Sequence, residues 1–205
     1  MESLIENLIK KFGQDYFRKI QNTRVGLAGA GGLGSNCALN LVRVGFKRLT
    51  IIDFDVISLA NLDRQFYFVN QAGMAKVTAL RDNLRKINPD LEIEALQERI
   101  EPANIRDLFK DCDIIAECFD KAEYKSMLVQ ELLGAGKLIV GVSGLGGVGS
   151  SDEIMVHKIK KNLILIGDLK SDVSKKPPLA PRVSIAAAKQ ADVILEYVLN
   201  NGIIK

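Results

Sequence analysis

The chain is poor in the residues that build disulfide scaffolds and transition-metal sites. It has three cysteines, Cys37, Cys112 and Cys118, with no Cys-x-x-Cys pair, and a single histidine, His157. An odd number of cysteines without such a pair argues against a disulfide framework and a four-cysteine zinc site. One histidine offers little to a transition metal, which leaves oxygen-ligated Mg²⁺, arriving with a nucleotide, as the expected ion. No role is assigned to His157.

Long apolar runs and a strong excess of one charge are also missing. No window approaches the ~18 consecutive apolar residues of a membrane span, and residues 1–11 mix charged with apolar side chains, unlike a secretory signal. Lys and Arg number 28 against 25 Asp and Glu, without a basic stripe. We therefore expect a cytoplasmic protein that engages neither a membrane nor nucleic acid.

The length and composition fit one core. The chain has 205 residues, 47% of them hydrophobic, which is within the ordinary size of a single domain. Ile5, Leu8, Ile9 and Phe12 recur at helical spacing and predict an amphipathic helix, laid on the domain or on a partner subunit. We divide the chain into an N-terminal helical arm, 1–22, and a main domain, 23–205.

From Arg24 onward, short apolar strands alternate with helical patterns. Such alternation predicts a Rossmann-like α/β fold with a mainly parallel sheet flanked by helices. The last two strands are adjacent and indicate an antiparallel extension, so the sheet is expected to be mixed. The predicted strands are 25–30, 49–52, 91–96, 114–118, 138–142, 155–159 and 163–166.

A glycine-rich turn, Gly29-Ala-Gly-Gly-Leu-Gly34, joins the first strand to a helix. Gly29, Gly31 and Gly34 satisfy G-x-G-x-x-G, and Asp53 ends the second strand about twenty residues further on. Glycines let the backbone approach phosphate, the helix start directs N–H groups at it, and the acid can bind a ribose hydroxyl. The pattern predicts a nucleotide site but does not separate NAD from ATP.

The stretch that follows distinguishes between the two nucleotides. It reads Asp53-Phe-Asp-Val-Ile-Ser-Leu-Ala-Asn61-Leu-Asp-Arg64-Gln65, with Lys76 at a helix start and Asp120 after the fourth strand. This ordered set resembles the ThiF/MoeB-like family of the ubiquitin-activating (E1-like) superfamily. It is most similar to a compact, zinc-less thiamine-pathway sulfur-carrier-protein adenylyltransferase of the second ThiF group.

The resemblance implies a role for each residue of the motif. Asp53 would bind the ribose, Asn61 and Arg64 the phosphates, Lys76 would clamp them, and Asp120 would hold Mg²⁺. Arg64, Lys76 and Asp120 would be the catalytic residues. The nucleotide-binding set would be Gly29, Gly31, Gly32, Gly34, Asp53, Asp55, Asn61, Arg64, Gln65 and Lys76.

The resemblance also implies a reaction and its partners. The enzyme would adenylate the C-terminal glycine carboxylate of a ThiS-like, ubiquitin-like sulfur carrier ending in Gly-Gly, releasing pyrophosphate, in thiamine biosynthesis, and it would be a homodimer. A carboxylate attacking the α-phosphorus meets electrostatic repulsion, which Arg64, Lys76 and Mg²⁺ can offset. No cysteine follows Cys118, so covalent sulfur or carrier transfer on this chain is not expected, and core packing is the expected role of the thiols.

Other functions remain open at this stage. A related ATP-dependent enzyme acting on tRNA threonylcarbamoyladenosine or on a small carboxylate would share the same ATP motifs. An NAD-dependent oxidoreductase would use the glycine turn but not the segment from Asn61 to Gln65. A non-catalytic nucleotide-binding subunit would have no need of Arg64, Lys76 and Asp120.

A second glycine cluster, Gly144-Leu-Gly-Gly-Val-Gly149, follows the fifth predicted strand. It could be another phosphate loop. Because it comes directly after a buried-looking strand, we favour close approach of backbone near the crevice or near an incoming carrier tail.

Overall fold

A seven-stranded sheet runs through the protein, whose computed structural model describes residues 4–204. The strands are β1 Arg24–Ala28, β2 Arg48–Ile52, β3 Glu92–Leu96, β4 Ile114–Glu117, β5 Leu138–Val142, β6 Met155–Lys160 and β7 Leu163–Gly167. The helices are α1 Leu4–Phe12, α2 Gln14–Asn22, α3 Gly32–Arg43, α4 Lys76–Arg85, α5 Ile105–Leu108, α6 Ala122–Leu132 and α7 Ala180–Leu199.

The strand order in the sheet is β3-β2-β1-β4-β5-β7-β6. All neighbouring strands are parallel except β6 and β7, which are antiparallel. Each observed strand begins and ends within two residues of its predicted bounds. The prediction of a Rossmann-like, mainly parallel mixed sheet in a single domain is therefore confirmed.

The central strands are buried because helices cover both faces of the sheet. Helices α3, α4 and α7 pack on one face, and α5 and α6 pack on the other. Helix α3 directs Ala38, Leu41 and Val42 at the sheet, and all three are fully buried, as the helical spacing predicts. No helix within residues 4–204 is long and apolar enough to cross a membrane.

Within the described part of the predicted arm, residues 4–22, the chain forms two helices, and the sequence predicted only the first. Gly13, with φ +86°, separates α1 from α2. Helix α2 docks through Phe17 and Ile20, whose side chains lie against Gly45, where an added Cβ would meet Ile20 at 2.9 Å. The arm thereby packs on the loop that follows α3, and Phe12 on α1 stays exposed.

The order in which successive strands are added to the sheet reverses between β1 and β4, although these two strands are parallel. From β1 the order proceeds to β2 and β3 on one side, and to β4 and β5 on the other. Loops leaving the carboxyl ends of β1 and β4 therefore diverge and leave a crevice, which is where open α/β sheets bind their ligands. The glycine turn and Asp120 lie at this switch point.

Candidate active site

The glycine turn fits tightly between the ends of β2 and β4. Gly29 has φ +108°, and its N–H donates to Ile52 O at 2.9 Å. A Cβ on Gly29 would lie 3.1 Å from Cys118 O, and a Cβ on Gly34 would lie 1.9 Å from Gly29 O. These two glycines are therefore required by the packing of strand, turn and helix.

Gly31 and Gly32 face different surroundings. A Cβ on Gly31 would meet only the Gln65 Nε2 atom, at 3.7 Å, whereas one on Gly32 would lie 3.0 Å from Val183 Cγ1 on α7. The outer side of the turn is thus open at Gly31 and covered at Gly32. The open side, at the start of the twelve-residue helix α3, suits an anion held by backbone N–H groups.

Asp53 lies directly beside the turn. Its Oδ2 accepts a hydrogen bond from Ala30 N–H at 2.7 Å, and its Oδ1 accepts one from Asp55 N–H at 2.8 Å. Burial raises the pKa of this carboxyl group, although Lys76 and the two N–H donors act in the opposite direction. The carboxylate is fixed at the position from which a ribose hydroxyl could donate to it.

Lys76 is the first residue of α4 and is 5% exposed. Its Nζ lies 2.7 Å from Asp55 Oδ2, and the Asp55 side chain is 47% exposed. Lys76 N–H also donates to Asp55 O at 3.0 Å, so the loop between Asp55 and Lys76 is closed at its base. The structure brings both residues together with Asp53, and it holds a buried cation beside the glycine turn.

The predicted phosphate-binding segment lies over the start of α3. Arg64 Cγ would lie 3.5 Å from a Cβ on Gly32, but the Arg64 guanidinium group donates to Asp63 Oδ1 at 2.6 Å and to Ala60 O at 3.4 Å. Asn61 Oδ1 accepts from Ser58 N–H and closes its own turn. Both side chains are therefore engaged within their segment. An exposed pair such as Arg64–Asp63 is worth little, so phosphate could replace Asp63.

Three polar side chains that the sequence analysis missed hold this segment in place. Ser35 Oγ accepts from Phe66 N–H at 3.0 Å, and Asn36 Nδ2 donates to Arg64 O at 3.0 Å. The buried Tyr67 hydroxyl donates to Ala30 O at 2.6 Å and lies 3.3 Å from Lys76 O. The only sequence signal was the pair of small polar residues in the first turn of α3.

Asp120 stands apart from the other predicted site residues. It lies two residues beyond Cys118, whose backbone borders Gly29, and it is exposed. Across residues 4–204 no side chain pairs with its carboxylate. Within the same residues, no three metal-ligating side chains form a group. The resemblance predicts that Asp120 holds Mg²⁺, and one carboxylate together with nucleotide phosphates is a usual arrangement for this ion.

Gln65 gives a further sign that a polar ligand fits here. Its Nε2 is the atom nearest to the open side of Gly31, and its Oε1 is buried without a hydrogen-bond partner among the described residues. Buried polar atoms are nearly always paired in folded proteins. A ligand in the crevice, bearing donors as well as phosphate, would satisfy this amide.

The second glycine cluster lies against another part of the same chain. A Cβ on Gly144 would lie 2.1 Å from Asp168 Oδ1, and one on Gly146 would lie 2.8 Å from Lys176 O. Asp168 in turn pairs with Arg182 at 2.7 Å, and both side chains are buried. The cluster allows close backbone approach, as favoured from the sequence, and its neighbour is the loop between β7 and α7.

The thiols and the histidine lie in structural positions. Cys37, Cys112 and Cys118 are all free and buried. Burial raises the pKa of the Cys112 thiol to about 11 and raises that of Cys118 as well. One ring nitrogen of His157 lies 2.9 Å from Gly167 O on the edge strand pair. The thiols thus stay protonated near neutral pH, which agrees with packing roles.

Two cavities lie away from the crevice. One, of about 260 Å³, borders Thr50 and Glu94 on the sheet face near α5. The other, of about 350 Å³, lies at the amino ends of β1 and β4, beside Lys19 and Tyr197. Neither includes a residue of the glycine turn, and we place the site at the switch point because the paired polar groups converge there.

The residues of the candidate site lie within a match to a known protein family. A sequence model of the ThiF family matches residues 5–163. The probable adenylyltransferase/sulfurtransferase MoeZ of Mycobacterium tuberculosis is 34% identical over 131 residues, which are 63% of this chain and 33% of MoeZ. Adenylyltransferase and sulfurtransferase UBA4 of Saccharomyces cerevisiae is 33% identical over 132 residues, 64% of this chain and 30% of UBA4. The chain thus spans about a third of the length of these relatives.

Comparison with solved structures confirms the fold. The tRNA N6-threonylcarbamoyladenosine dehydratase TcdA of E. coli, in complex with AMP, superimposes with a TM-score of 0.87 at 17% identity, over 95% of this chain and 93% of TcdA. A complex of TcdA with ATP gives a TM-score of 0.86. The family match covers well over half of the chain, and this chain belongs to the ThiF family.

Proposed function

We propose that this protein is an ATP-dependent adenylyltransferase. The observation that carries the proposal is the arrangement at the switch point, where Asp53 is bonded to Ala30 beside a glycine turn that is open at Gly31. The segment from Asn61 to Gln65 lies over the same turn and offers cationic and amide groups rather than hydride-transfer chemistry. ATP is favoured over NAD for this reason.

The proposed substrate is the C-terminal glycine carboxylate of a ubiquitin-like sulfur carrier, ThiS-like and ending in Gly-Gly, in thiamine biosynthesis. Support comes from relatives that are named as adenylyltransferases and sulfurtransferases and from one named as a SUMO-activating enzyme subunit. We further propose a cytoplasmic homodimer in which residues 1–22 form the arm and 23–205 the ATP-binding domain.

The proposed reaction is a displacement at the α-phosphorus. A carboxylate oxygen of the carrier forms a bond to the α-phosphorus as the bond from that phosphorus to the bridging oxygen breaks, giving an acyl adenylate and pyrophosphate. Asp53 orients the ribose, and the N–H groups at the start of α3 hold phosphate oxygens. Lys76 and Arg64 offset the charge that both reactants bring together. Mg²⁺, when bound at Asp120, would supply further charge neutralisation.

Lys76 and Arg64 would each exchange a carboxylate for phosphate. Lys76 now pairs with Asp55 and Arg64 with Asp63, and both carboxylates are at least partly exposed. These acids keep the cations in place in the free protein. Because the Arg64 pair lies at the surface and contributes little to stability, the exchange at Arg64 requires no change in the fold.

The first test is calorimetric titration with ATP plus Mg²⁺ and, separately, with NAD. We expect ATP to bind, NAD to bind weakly if at all, and the Mg²⁺-dependent part of the ATP affinity to be lost in Asp120→Ala. The matched control is Asp192→Ala, an exposed aspartate on α7 that lies about 18 Å along that helix from its first residue. The control should bind as the parent does. Pyrophosphate exchange should then require a carrier ending in Gly-Gly.

Two outcomes would contradict this function. Saturable NAD binding without ATP binding would indicate that the glycine turn binds NAD, as in a dehydrogenase. ATP binding without pyrophosphate exchange, with any Gly-Gly carrier and with tRNA alike, would support a non-catalytic nucleotide-binding subunit.

A second candidate is an ATP-dependent enzyme acting on tRNA threonylcarbamoyladenosine or on a small carboxylate. It is favoured by the fold comparison, because TcdA superimposes over nearly its whole length as well as that of this chain. Its ATP motifs would be the same. The two candidates differ in the macromolecule that stimulates turnover, which is a carrier protein in one case and tRNA in the other.

A further inference from the structure

A buried carboxylate ends strand β4, three residues before Asp120. Glu117 is 2% exposed, and Lys125 Nζ on helix α6 lies 2.9 Å from its Oε1 and 3.1 Å from its Oε2. The same Oε1 accepts a hydrogen bond from Phe119 N–H at 2.8 Å. One carboxylate therefore connects α6 to the backbone of the turn that carries Asp120.

The surroundings of Glu117 are shaped to hold it. A Cβ on Gly141 of β5 would lie 3.0 Å from Glu117 Oε2, so glycine at this position leaves room for the carboxylate. On the opposite face of the sheet, the fully buried Gln190 donates to Glu117 O at 3.1 Å and to Val140 O at 2.7 Å. The carboxyl end of β4 is thus fixed from both sides.

Stability alone does not account for this ion pair. The Glu117 carboxylate is removed from water and the Lys125 side chain, 24% exposed, is partly so. Removing charges from water is costly, and apolar residues of similar volume commonly stabilise a buried position as well or better. The pair does, however, provide an acceptor for Phe119 N–H, which apolar side chains could not do. The turn that it fixes leads straight to the exposed carboxylate of Asp120.

We propose that Glu117 and Lys125 are positioning residues that hold the Phe119–Asp120 turn and so set the Asp120 carboxylate against the nucleotide-bound Mg²⁺. This inference rests on the proposed function, in which Asp120 holds Mg²⁺ with ATP. Glu117 touches neither ligand and acts only through the backbone of its turn. Lys125 keeps the Glu117 carboxylate in the one orientation that reaches Phe119.

The test compares ATP binding with and without Mg²⁺ in four variants by calorimetry, with thermal unfolding measured alongside. Lys125→Met should weaken the binding of Mg-ATP by about tenfold, as loss of a group supporting a metal ligand commonly does, and leave metal-free ATP binding nearly unchanged. Lys125→Arg should restore most of the loss. Glu131→Gln, which breaks an exposed ion pair on the same helix, should bind as the parent does.

Lys125→Met leaves a buried, unpaired carboxylate and could fail to fold. The double variant Glu117→Met/Lys125→Met removes both charges at similar volume, so it should unfold at the same temperature as the parent or higher. It also removes the acceptor for Phe119 N–H. We expect it to show the same selective loss of Mg-ATP affinity in a stable protein.

The outcomes distinguish failure of the positioning role of Glu117 and Lys125 from failure of the proposed ATP-dependent function. A stable double variant with the parent's Mg-ATP affinity, or with equal losses in the presence and absence of Mg²⁺, overturns the positioning role while leaving ATP binding intact. A parent chain that shows no Mg²⁺-dependent ATP binding overturns the proposed function first, and the inference with it.

Discussion

Asp53 is the residue whose electrostatics are most directly tied to the proposed site. Its carboxylate is partly removed from water, and that burial raises its pKa above the ordinary value despite Lys76 and two N–H donors. Groups with shifted pKa values are often found at functional sites. A ribose hydroxyl that donates to this carboxyl group would replace part of the hydration that burial removes.

The raised pKa of Asp53 predicts how stability depends on pH. Because the folded protein binds this proton more tightly than the unfolded chain, the stabilisation is fully present below the ordinary pKa of about 3.9 and is lost as pH rises through the folded value. Thermal unfolding of the parent and of Asp53→Asn should show that the stability of the parent, relative to that of the variant, falls as pH rises through the folded pKa of Asp53.

A matched variant should show the opposite sign. Hydrogen bonds from Ser174 lower the pKa of Asp172 in the loop between β7 and α7. Stability from that carboxylate is present above its ordinary pKa and is lost as pH falls through the lowered value. Relative to Asp172→Asn, the parent should therefore gain stability as pH rises. If both variants gave trends of the same sign, burial would not be what sets the Asp53 pKa.

At the scale of elements, the glycines of the strand–turn–helix unit have different roles: Gly34 is required for packing, whereas Gly31 leaves one side of the turn open. Gly34→Ala would place a Cβ 1.9 Å from the backbone oxygen of Gly29, and no side-chain rotation moves a Cβ away from such a contact. We expect it to destabilise the fold by about 2 kcal/mol or more. Gly31→Ala meets no atom closer than 3.7 Å, so it should unfold near the parent's temperature but bind ATP at least about tenfold more weakly, a difference of ~1.4 kcal/mol.

Thermal unfolding and calorimetric titration on the two variants provide the measurement. The informative variant is Gly31→Ala, because it tests the ligand without disturbing the packing. If it bound ATP as tightly as the parent, the open side of the turn would not be where phosphate lies.

The elements that the sequence predicted correctly are those with a strong local pattern. The five inner strands were found because each is a short apolar run that is buried in the sheet, and the edge strands β3 and β6 because their apolar residues are interspersed with polar ones. The glycine turn was found because its spacing is fixed by the fold. Helix α2 was missed because only Tyr16, Phe17 and Ile20 are apolar within nine residues, too few to show a period. It is held by contacts with Gly45 and with the end of α7, which are distant in sequence.

The site was predictable only in part for the same reason. Asp53 and Lys76 adjoin recognisable elements, and the structure brings them together beside the turn. Other residues are defined by contacts between distant parts of the chain. Tyr67 contacts the glycine turn at Ala30, Glu117 accepts from the backbone of Phe119, and Lys125 pairs with Glu117. Nothing in their local sequence marks them, since a buried Tyr or Glu is identified by its partners rather than by its neighbours along the chain.

At the scale of the whole molecule, charge bears on the choice between a carrier protein and tRNA. The net charge is only +3, from 28 basic and 25 acidic residues. Several of the basic groups are already paired with carboxylates, including Lys47, Lys76, Lys125 and Arg182. Binding of tRNA depends on several phosphate contacts from free Lys and Arg, each of which makes the affinity fall as salt rises.

We therefore expect tRNA to bind this protein no more tightly than about 10⁻⁴ to 10⁻⁶ M, the range of nonspecific association at physiological salt. Fluorescence anisotropy of labelled tRNA, titrated with protein at ~0.05 M and ~0.2 M salt with ATP and Mg²⁺ present, measures both the affinity and its salt dependence. When a labelled Gly-Gly carrier replaces the tRNA, its affinity should differ little between the two salt concentrations, because its recognition depends on a peptide tail rather than on phosphates. Tight tRNA binding whose affinity falls steeply at the higher salt would favour the tRNA-modifying candidate. It would mean that folding gathers basic residues into one surface that the balanced net charge does not reveal.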